Sequence, residues 1–332
     1  MERFIAIDNV CAWPNLTLMP DGAIIATIFN QPCHGMWEGD VECWASTDGG
    51  RLWERRGVPA PHEPATNRMN VAAGLAHDGA LIVISSGWSN RKAPGIETPH
   101  SQAHILGSWV CRSIDGGRSW ERAETVAFPD ETRPLVPFGD IIQVPDGTLA
   151  ASFYGGAEAK KSDSCLFWSR DDGRTWGKPT LIASDDYNET ALLRLKDGRW
   201  LAACRTETDA HLALFISPDS AESWTCAGPL TLPGQHPGHL LELADGRILL
   251  VYGIRNPGLY GIGARLSGDG GTTWGKPILL VDLQGATDGG YPASVQLRDG
   301  TIVTAYYANR VPAHQRYHMG VLRWRVEEFQ QR

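Results

Sequence analysis

A chain of 332 residues with 42% apolar and 20% charged residues can bury a sizeable core, which excludes wholesale disorder. Its formal net charge of −8 argues against general binding of nucleic acid or an anionic membrane. No stretch approaches the roughly 18 consecutive apolar residues of a spanning helix. In chain order, the sequence opens Met-Glu-Arg-Phe-Ile-Ala-Ile-Asp, without the basic start and apolar run of a secretory signal, so a cytoplasmic protein is expected. The seven cysteines (Cys11, Cys33, Cys43, Cys111, Cys165, Cys204, Cys226) show no CxxC or Cys/His ligand spacing and read as reduced core residues. No metal or organic cofactor is implied.

Two turn motifs then alternate along the chain. The first is an Asp-Gly pair between apolar runs, at Asp21-Gly22, Asp78-Gly79, Asp146-Gly147, Asp197-Gly198, Asp245-Gly246 and Asp299-Gly300. Flanks such as Ala191–Leu195 and Arg199–Ala203 fit hairpin strands around a turn needing positive φ. The second is Ser-x-Asp-x-Gly-x-x-Trp, beginning at Ser46, Ser113, Ser169 and Ser267, with a degenerate copy from Ser217 to Trp224 that has lost its glycine. The five copies are spaced by 67, 56, 48 and 50 residues. Each unit is therefore strand, Asp-Gly turn, strand, long loop, strand, box turn, strand. That predicts an all-β, six-bladed β-propeller of four-stranded antiparallel blades, a single domain over residues 1–332. The sixth unit ends without a box, and Phe4–Ile7 belongs to no other unit, so the N-terminal strand is expected to close the ring.

Both turn types lie at one end of each blade, because two strands separate them. Chemistry is expected at the other end. That leaves Arg68, Asn70, Asp140, Asn188, Glu189, His236, His239, Asp288 and Tyr291 where blades begin. On the loops after second strands it leaves His34, Glu38, Asp40, Arg91, Tyr154, Arg205, Glu207, Arg255, Tyr307 and Arg310.

The Ser-x-Asp-x-Gly-x-x-Trp boxes are the signature called the Asp-box, and the whole chain resembles the sialidase superfamily. The resemblance implies a tyrosine nucleophile with a glutamate beside it, an aspartate acid/base, and three arginines that grip a substrate carboxylate. Glu189 and Arg205, within Asn188-Glu189-Thr-Ala-Leu-Leu-Arg-Leu-Lys-Asp-Gly-Arg-Trp-Leu-Ala-Ala-Cys-Arg205, match the family's glutamate and the arginine that follows it. Tyr291, in Asp288-Gly-Gly-Tyr-Pro, matches the tyrosine, and Arg255 the blade-five arginine, with Arg265 as its fallback. The first family arginine, in Arg-Ile-Pro, is replaced: this chain has Ala12-Trp13-Pro14, with Arg68 as a neighbouring substitute. The first-blade loop His34-Gly-Met-Trp-Glu38-Gly-Asp40 offers His34, Glu38 and Asp40 where one acid/base is expected, and His236 and His239 are additional sugar-binding or proton-transfer candidates. The resulting expectation is a retaining exo-glycosidase acting on a terminal acidic sugar of a glycan. The alternatives are a histidine/tyrosine-dependent lyase or glycosidase for uronate-linked sugars and a non-catalytic carbohydrate-binding propeller.

Overall fold

The computed structural model describes residues 1–332 apart from Met36, 90–103, 130–133, 157–160, 286–287 and 331–332, so Arg91 lies outside the described residues. The chain is an all-β propeller, and its helical content among the described residues is the short turn Glu327–Gln330. Four strand sets form separate four-stranded antiparallel sheets. The first is Ala12–Leu18, Ile24–Phe29, Val41–Ser46 and Glu54–Ala60. The second is Tyr187–Arg194, Trp200–Thr206, Leu212–Ser217 and Thr225–Pro229. The third is Gln235–Glu242, Ile248–Asn256, Leu259–Ser267 and Ile278–Asp282. The fourth is Gly289–Gln296, Ile302–Ala308 and His318–Trp324, edged by Glu2–Asp8. Eight strands between Asn70 and Ala183 form one sheet, joined where Asn70–Leu75 runs parallel to Val136–Gln143 through only Ala72–Gly139 and Ala73–Asp140, while Trp88–Ser89 and His104–Ile105 pair separately.

Burial follows position within each sheet. Ile24–Phe29, Leu81–Ser86 and Ile302–Ala308, second in their units, are buried at every residue, because neighbouring sheets cover both faces. That explains their continuous apolar runs, which lack the alternation of a half-exposed strand. The outermost Glu121–Ala123 is exposed throughout. Cys11, Cys43, Cys111 and Cys204 are buried thiols, and none of the seven cysteines is in a disulfide.

The box turns hold their shape through one repeated network. In the first, Ser46 Oγ donates to Asp48 Oδ1 and accepts from the Gly50 amide, both at 2.8 Å, while Asp48 accepts from the Arg51 and Leu52 amides at 3.0 Å. Trp53 Nε1 donates to the Gly50 carbonyl at 3.1 Å. The glycine is required: Gly50, Gly117, Gly173 and Gly271 sit at φ 93, 91, 82 and 88°. In the degenerate copy Ala221 takes the same place at φ 66°, and its amide still reaches Ser217 Oγ at 3.0 Å. The turn survives at a backbone cost of roughly 1–2 kcal/mol. Its Trp224 Nε1 has no hydrogen-bond partner among the described residues.

Trp176 is the most deeply set box tryptophan, 2% exposed, within a cluster that joins Ile82 and Ile84 to Leu149, Phe153 and Phe167. Trp176→Ala is expected to cost on the order of 3–5 kcal/mol by leaving a cavity between two units. Trp224→Ala, at a half-buried ring already lacking its indole hydrogen bond, should cost less. Denaturant midpoints of the two variants check the ranking.

Candidate active site

The first strands of the units, beginning at Ala12, Asn70, Val136, Tyr187, Gln235 and Gly289, contact one another in succession and the last contacts the first, a closed inner ring. Five of these strands lose register with their neighbour near the same end. The breaks fall at Ala12/Asn15, Phe138/Ile142, Tyr187/Thr190, Gln235/Gly238 and Gly290/Ala293. Such bulges swing side chains out of the pleat and are over-represented beside active sites. Three contain a proline after an aromatic residue or histidine: Trp13-Pro14, His236-Pro237 and Tyr291-Pro292. Proline is admitted there because a bulge frees its position from donating to the ladder. Trp13 and Tyr291 sit at φ 43 and 48°, sparsely populated for bulky side chains.

The inner strands, five of them bulged, deliver Asn15, Asn70, Asp140, Glu189, His239 and Tyr291, one from each, to a shared cavity. Trp13, Met69, Trp88 and Phe138 supply its apolar wall. The Tyr291 hydroxyl donates a short hydrogen bond to Glu189 Oε1, and Arg205 Nη1 donates to Glu189 Oε2 at 2.5 Å. Glu189 is 6% exposed, so both carboxylate oxygens are committed to these partners in a desolvated setting. Burial, then the Glu189 charge, pushes the Tyr291 phenol far above its ordinary value, while Arg205 and Arg255 oppose the shift. The phenol therefore stays protonated until Glu189 takes its proton. Burial lowers the Arg205 pKa, but Glu189 more than offsets it. Arg205 Nε has no partner among the described residues.

Arg255 sits 5.3 Å from the Tyr291 ring centroid and donates to the Gly289 carbonyl at 2.9 Å and the Tyr307 hydroxyl at 3.0 Å. Tyr307 and Tyr317 in turn donate to Asp288 at 2.6 and 2.9 Å, and His34 Nδ1 lies 3.1 Å from the same carboxylate. Burial raises the Asp288 pKa, but His34, Tyr307 and Arg255 hold it well below the usual carboxylate range. Cys11, His34 and Asp288 bring potential ligand atoms within 4.8 Å of one another. Asp288 is already saturated by these donors, and the Arg255 guanidinium 3.8 Å away opposes a cation there.

Other expected residues lie elsewhere. Asp40 accepts from the His62 amide at 2.8 Å, its Oδ1 is 2.6 Å from His62 Nδ1, and it does not line the cavity. Glu38 caps the Ala65 amide at 2.7 Å. Arg68, 3% exposed, turns away to the Gly107 carbonyl at 2.7 Å and stacks 3.8 Å over the Trp109 ring, so it does not occupy the place of the missing first arginine. Arg265 is spent on backbone carbonyls of Gly275, Trp274 and Leu230. His236 is outside the cavity lining, and burial together with Arg205 and Arg255 pushes its pKa down to about 2, leaving it neutral. Asn15 and Phe138 also line the cavity without belonging to any sequence motif, and Trp13 lines it from within the Ala12-Trp13-Pro14 segment.

A model of the BNR repeat-like domain matches residues 22–304. Curated relatives include a sialidase of Bacteroides fragilis, 24% identical over 348 residues covering 92% of this chain and 61% of the relative. Another is a sialidase of Micromonospora viridifaciens, 25% identical over 352 residues covering 92% and 52%. The chain thus spans between half and two thirds of the length of these relatives. Among solved structures, a protein of unknown function from Dyadobacter fermentans superposes with a TM-score of 0.81 at 25% identity, covering 97% of this chain and 98% of that one. Trypanosoma rangeli sialidase in complex with 2,3-difluorosialic acid, described as a covalent intermediate, gives 0.73 at 13% identity over 96% and 55% of the two chains. At that identity the likeness concerns the fold.

Proposed function

The chain belongs to the BNR repeat-like domain family, and from that premise we propose that it is a retaining exo-glycosidase of the sialidase type. It releases a terminal acidic sugar, such as sialic acid, from a glycan. Tyr291 is the nucleophile and Glu189 its base. The observation that carries this reading is the Tyr291 hydroxyl donating to a buried Glu189 that Arg205 holds from the other side.

A phenol with an ordinary pKa near 10 is a poor nucleophile at neutral pH, and burial makes this one poorer until its proton is removed. Glu189 accepts that proton along an existing hydrogen bond. A neutral phenol suits an anomeric carbon flanked by a carboxylate, because a carboxylate nucleophile would be repelled, and tyrosine nucleophiles are a recognised departure from the two-carboxylate scheme. Arg205 and Arg255, just outside the cavity lining, favour negative charge on the Tyr291 ring. Where the family's first arginine stands, this chain places Ala12 and the Trp13 indole, a surface for the apolar face of a sugar ring. A six-blade count belongs to the same reading: six inner strands support it, with the eight-stranded sheet counted as two blades and Glu2–Asp8 supplying the last outer strand. His236, neutral and away from the cavity, does not favour a histidine-based lyase.

The test is a panel of aryl glycosides of sialic, uronic and neutral sugars, run with wild type and Arg205→Lys. Wild type is expected to turn over the sialoside. Arg205→Lys keeps the charge but loses the planar fork, and should raise KM and lower kcat/KM on the acidic substrate by about ten- to a hundredfold, the worth of one charged hydrogen bond. Turnover confined to neutral sugars, or binding without turnover, would replace this reading.

A further inference from the structure

Resting on the glycosidase reading above, we infer that Asp140 is the acid/base of the reaction and that His239 is the residue positioning it. Two carboxylates line the cavity among the described residues, Glu189 and Asp140. Both oxygens of Glu189 are taken by Tyr291 and Arg205, so Glu189 cannot also protonate a leaving group. Asp40, from the first-blade loop, is bound to His62 and lies off the cavity. Asp140 remains.

Three inner strands fix its carboxyl group. Asp140 sits in the bulge between Phe138 and Ile142, with its side chain 25% exposed. Asn15 Nδ2 donates to Asp140 Oδ1 at 3.1 Å and to the Gly139 carbonyl at 2.8 Å, which anchors one oxygen. His239 Nε2 lies 2.9 Å from Asp140 Oδ2. The histidine is 6% exposed, and its Nδ1 has no hydrogen-bond partner among the described residues. A purely structural histidine is normally pinned through both nitrogens. Here neither tautomer is pinned. Nε2 can accept from Asp140 while the carboxyl is protonated and donate to it once the proton has left, and an acid/base group passes through both states in every turnover. The other titratable groups on this cavity are His34, Tyr154, Glu189 and Tyr291.

The steps balance. In the first, the Asp140 proton passes to the glycosidic oxygen as the bond from that oxygen to the anomeric carbon breaks. The Tyr291 oxygen bonds the anomeric carbon, and the phenol proton goes to Glu189. In the second, water attacks the anomeric carbon and gives its proton to Asp140. The bond to Tyr291 breaks, and the phenol recovers its proton from Glu189.

The experiment compares kcat/KM for the 4-nitrophenyl and methyl glycosides of the sugar that wild type cleaves best, using the full chain. Asp140→Asn should lower the value for the methyl glycoside, whose leaving group needs a proton, by about 10²–10⁴-fold. The 4-nitrophenyl glycoside should lose less than about tenfold, because its leaving group departs unaided. His239→Leu removes the donor that faces Asp140 Oδ2. A carboxylate that loses a donor ionises less readily, so the basic limb of the methyl-glycoside pH profile should move to higher pH while the 4-nitrophenyl profile stays in place. Equal losses on both substrates, no loss on either, or an unmoved limb in His239→Leu would overturn the assignment. If Asp140→Asn fails to fold by circular dichroism, the His239→Leu profile decides alone. An active Tyr291→Phe, or a wild type that cleaves no glycoside, removes the underlying reading and this inference with it. An inactive Tyr291→Phe beside a uniform Asp140→Asn response removes only this inference.

Discussion

Tyr291→Phe is expected to retain the wild-type melting transition within a few degrees and to lose nearly all turnover. The substitution deletes one oxygen. The ring keeps its neighbours Trp13, Phe138 and Tyr307, at centroid distances of 6.1, 6.3 and 5.8 Å, and Glu189 keeps its ion pair with Arg205. The stability lost is that of one hydrogen bond to a buried carboxylate, about 1.5–3 kcal/mol. The chemistry lost is the covalent step, because no other hydroxyl in the described site is hydrogen-bonded to Glu189. Glu189→Gln should fall by about 10²–10⁴-fold, the usual worth of one positioned proton acceptor, with Arg205 losing its counter-ion. Steady-state rates alongside thermal melts check both variants. A Tyr291→Phe enzyme with wild-type kcat would remove the nucleophile from the account.

Deleting residues 1–8 should produce the largest loss of stability. Glu2–Asp8 pairs antiparallel with His318–Trp324 from Glu2–Arg323 to Asp8–His318, one bulge included. Arg323 Nη1 donates to Glu2 at 2.6 Å, and Arg3 Nε donates to the Tyr306 hydroxyl at 2.7 Å. Removing the strand strips His318–Trp324, buried along its whole length, of its outer neighbour and exposes a pairing-competent edge. Losing roughly five backbone hydrogen bonds at about 1 kcal/mol each corresponds, for a chain of this length, to a melting temperature lower by about 7 °C, and lost apolar burial adds to that. Concentration-dependent light scattering should accompany it. A truncated chain that melts with wild type and stays monodisperse would show that the propeller does not depend on this strand.

The architecture was legible because its signals are local and repeated. An Asp-Gly pair needs positive φ wherever it stands, and a Ser-x-Asp-x-Gly-x-x-Trp box closes on its own backbone, so each copy reports a turn without knowledge of its neighbours. The site was legible only in part. Glu189, Arg205 and Tyr291 lie on different strands, and the likeness of their sequence surroundings to a known family brought them together on the page as the fold does in space. Arg68, Asp40 and His236 also lie near the expected end of the propeller, but side-chain direction was not readable. Arg68 turns to Trp109, Asp40 to His62, and His236, within the field of Arg205 and Arg255, stays off the cavity lining. At His236 a bulge decides the direction by shifting the pleat, while Arg68 and Asp40 sit in loops just before their strands, where alternation does not apply. One sign was present: Trp13-Pro14, His236-Pro237 and Tyr291-Pro292 each place a proline where an inner strand ought to donate, which marks a break in the ladder.

The proposed mechanism requires a covalent bond to Tyr291, and mass spectrometry after incubation with 2,3-difluorosialic acid tests it most directly. The fluorine at C3 slows the second step, so the sugar should remain attached. The intact mass is predicted to rise by one fluorosialyl group, with the label on the peptide carrying Tyr291 and absent from Tyr291→Phe. A label on another residue, or an unlabelled protein that still hydrolyses aryl sialosides, would contradict the tyrosine mechanism.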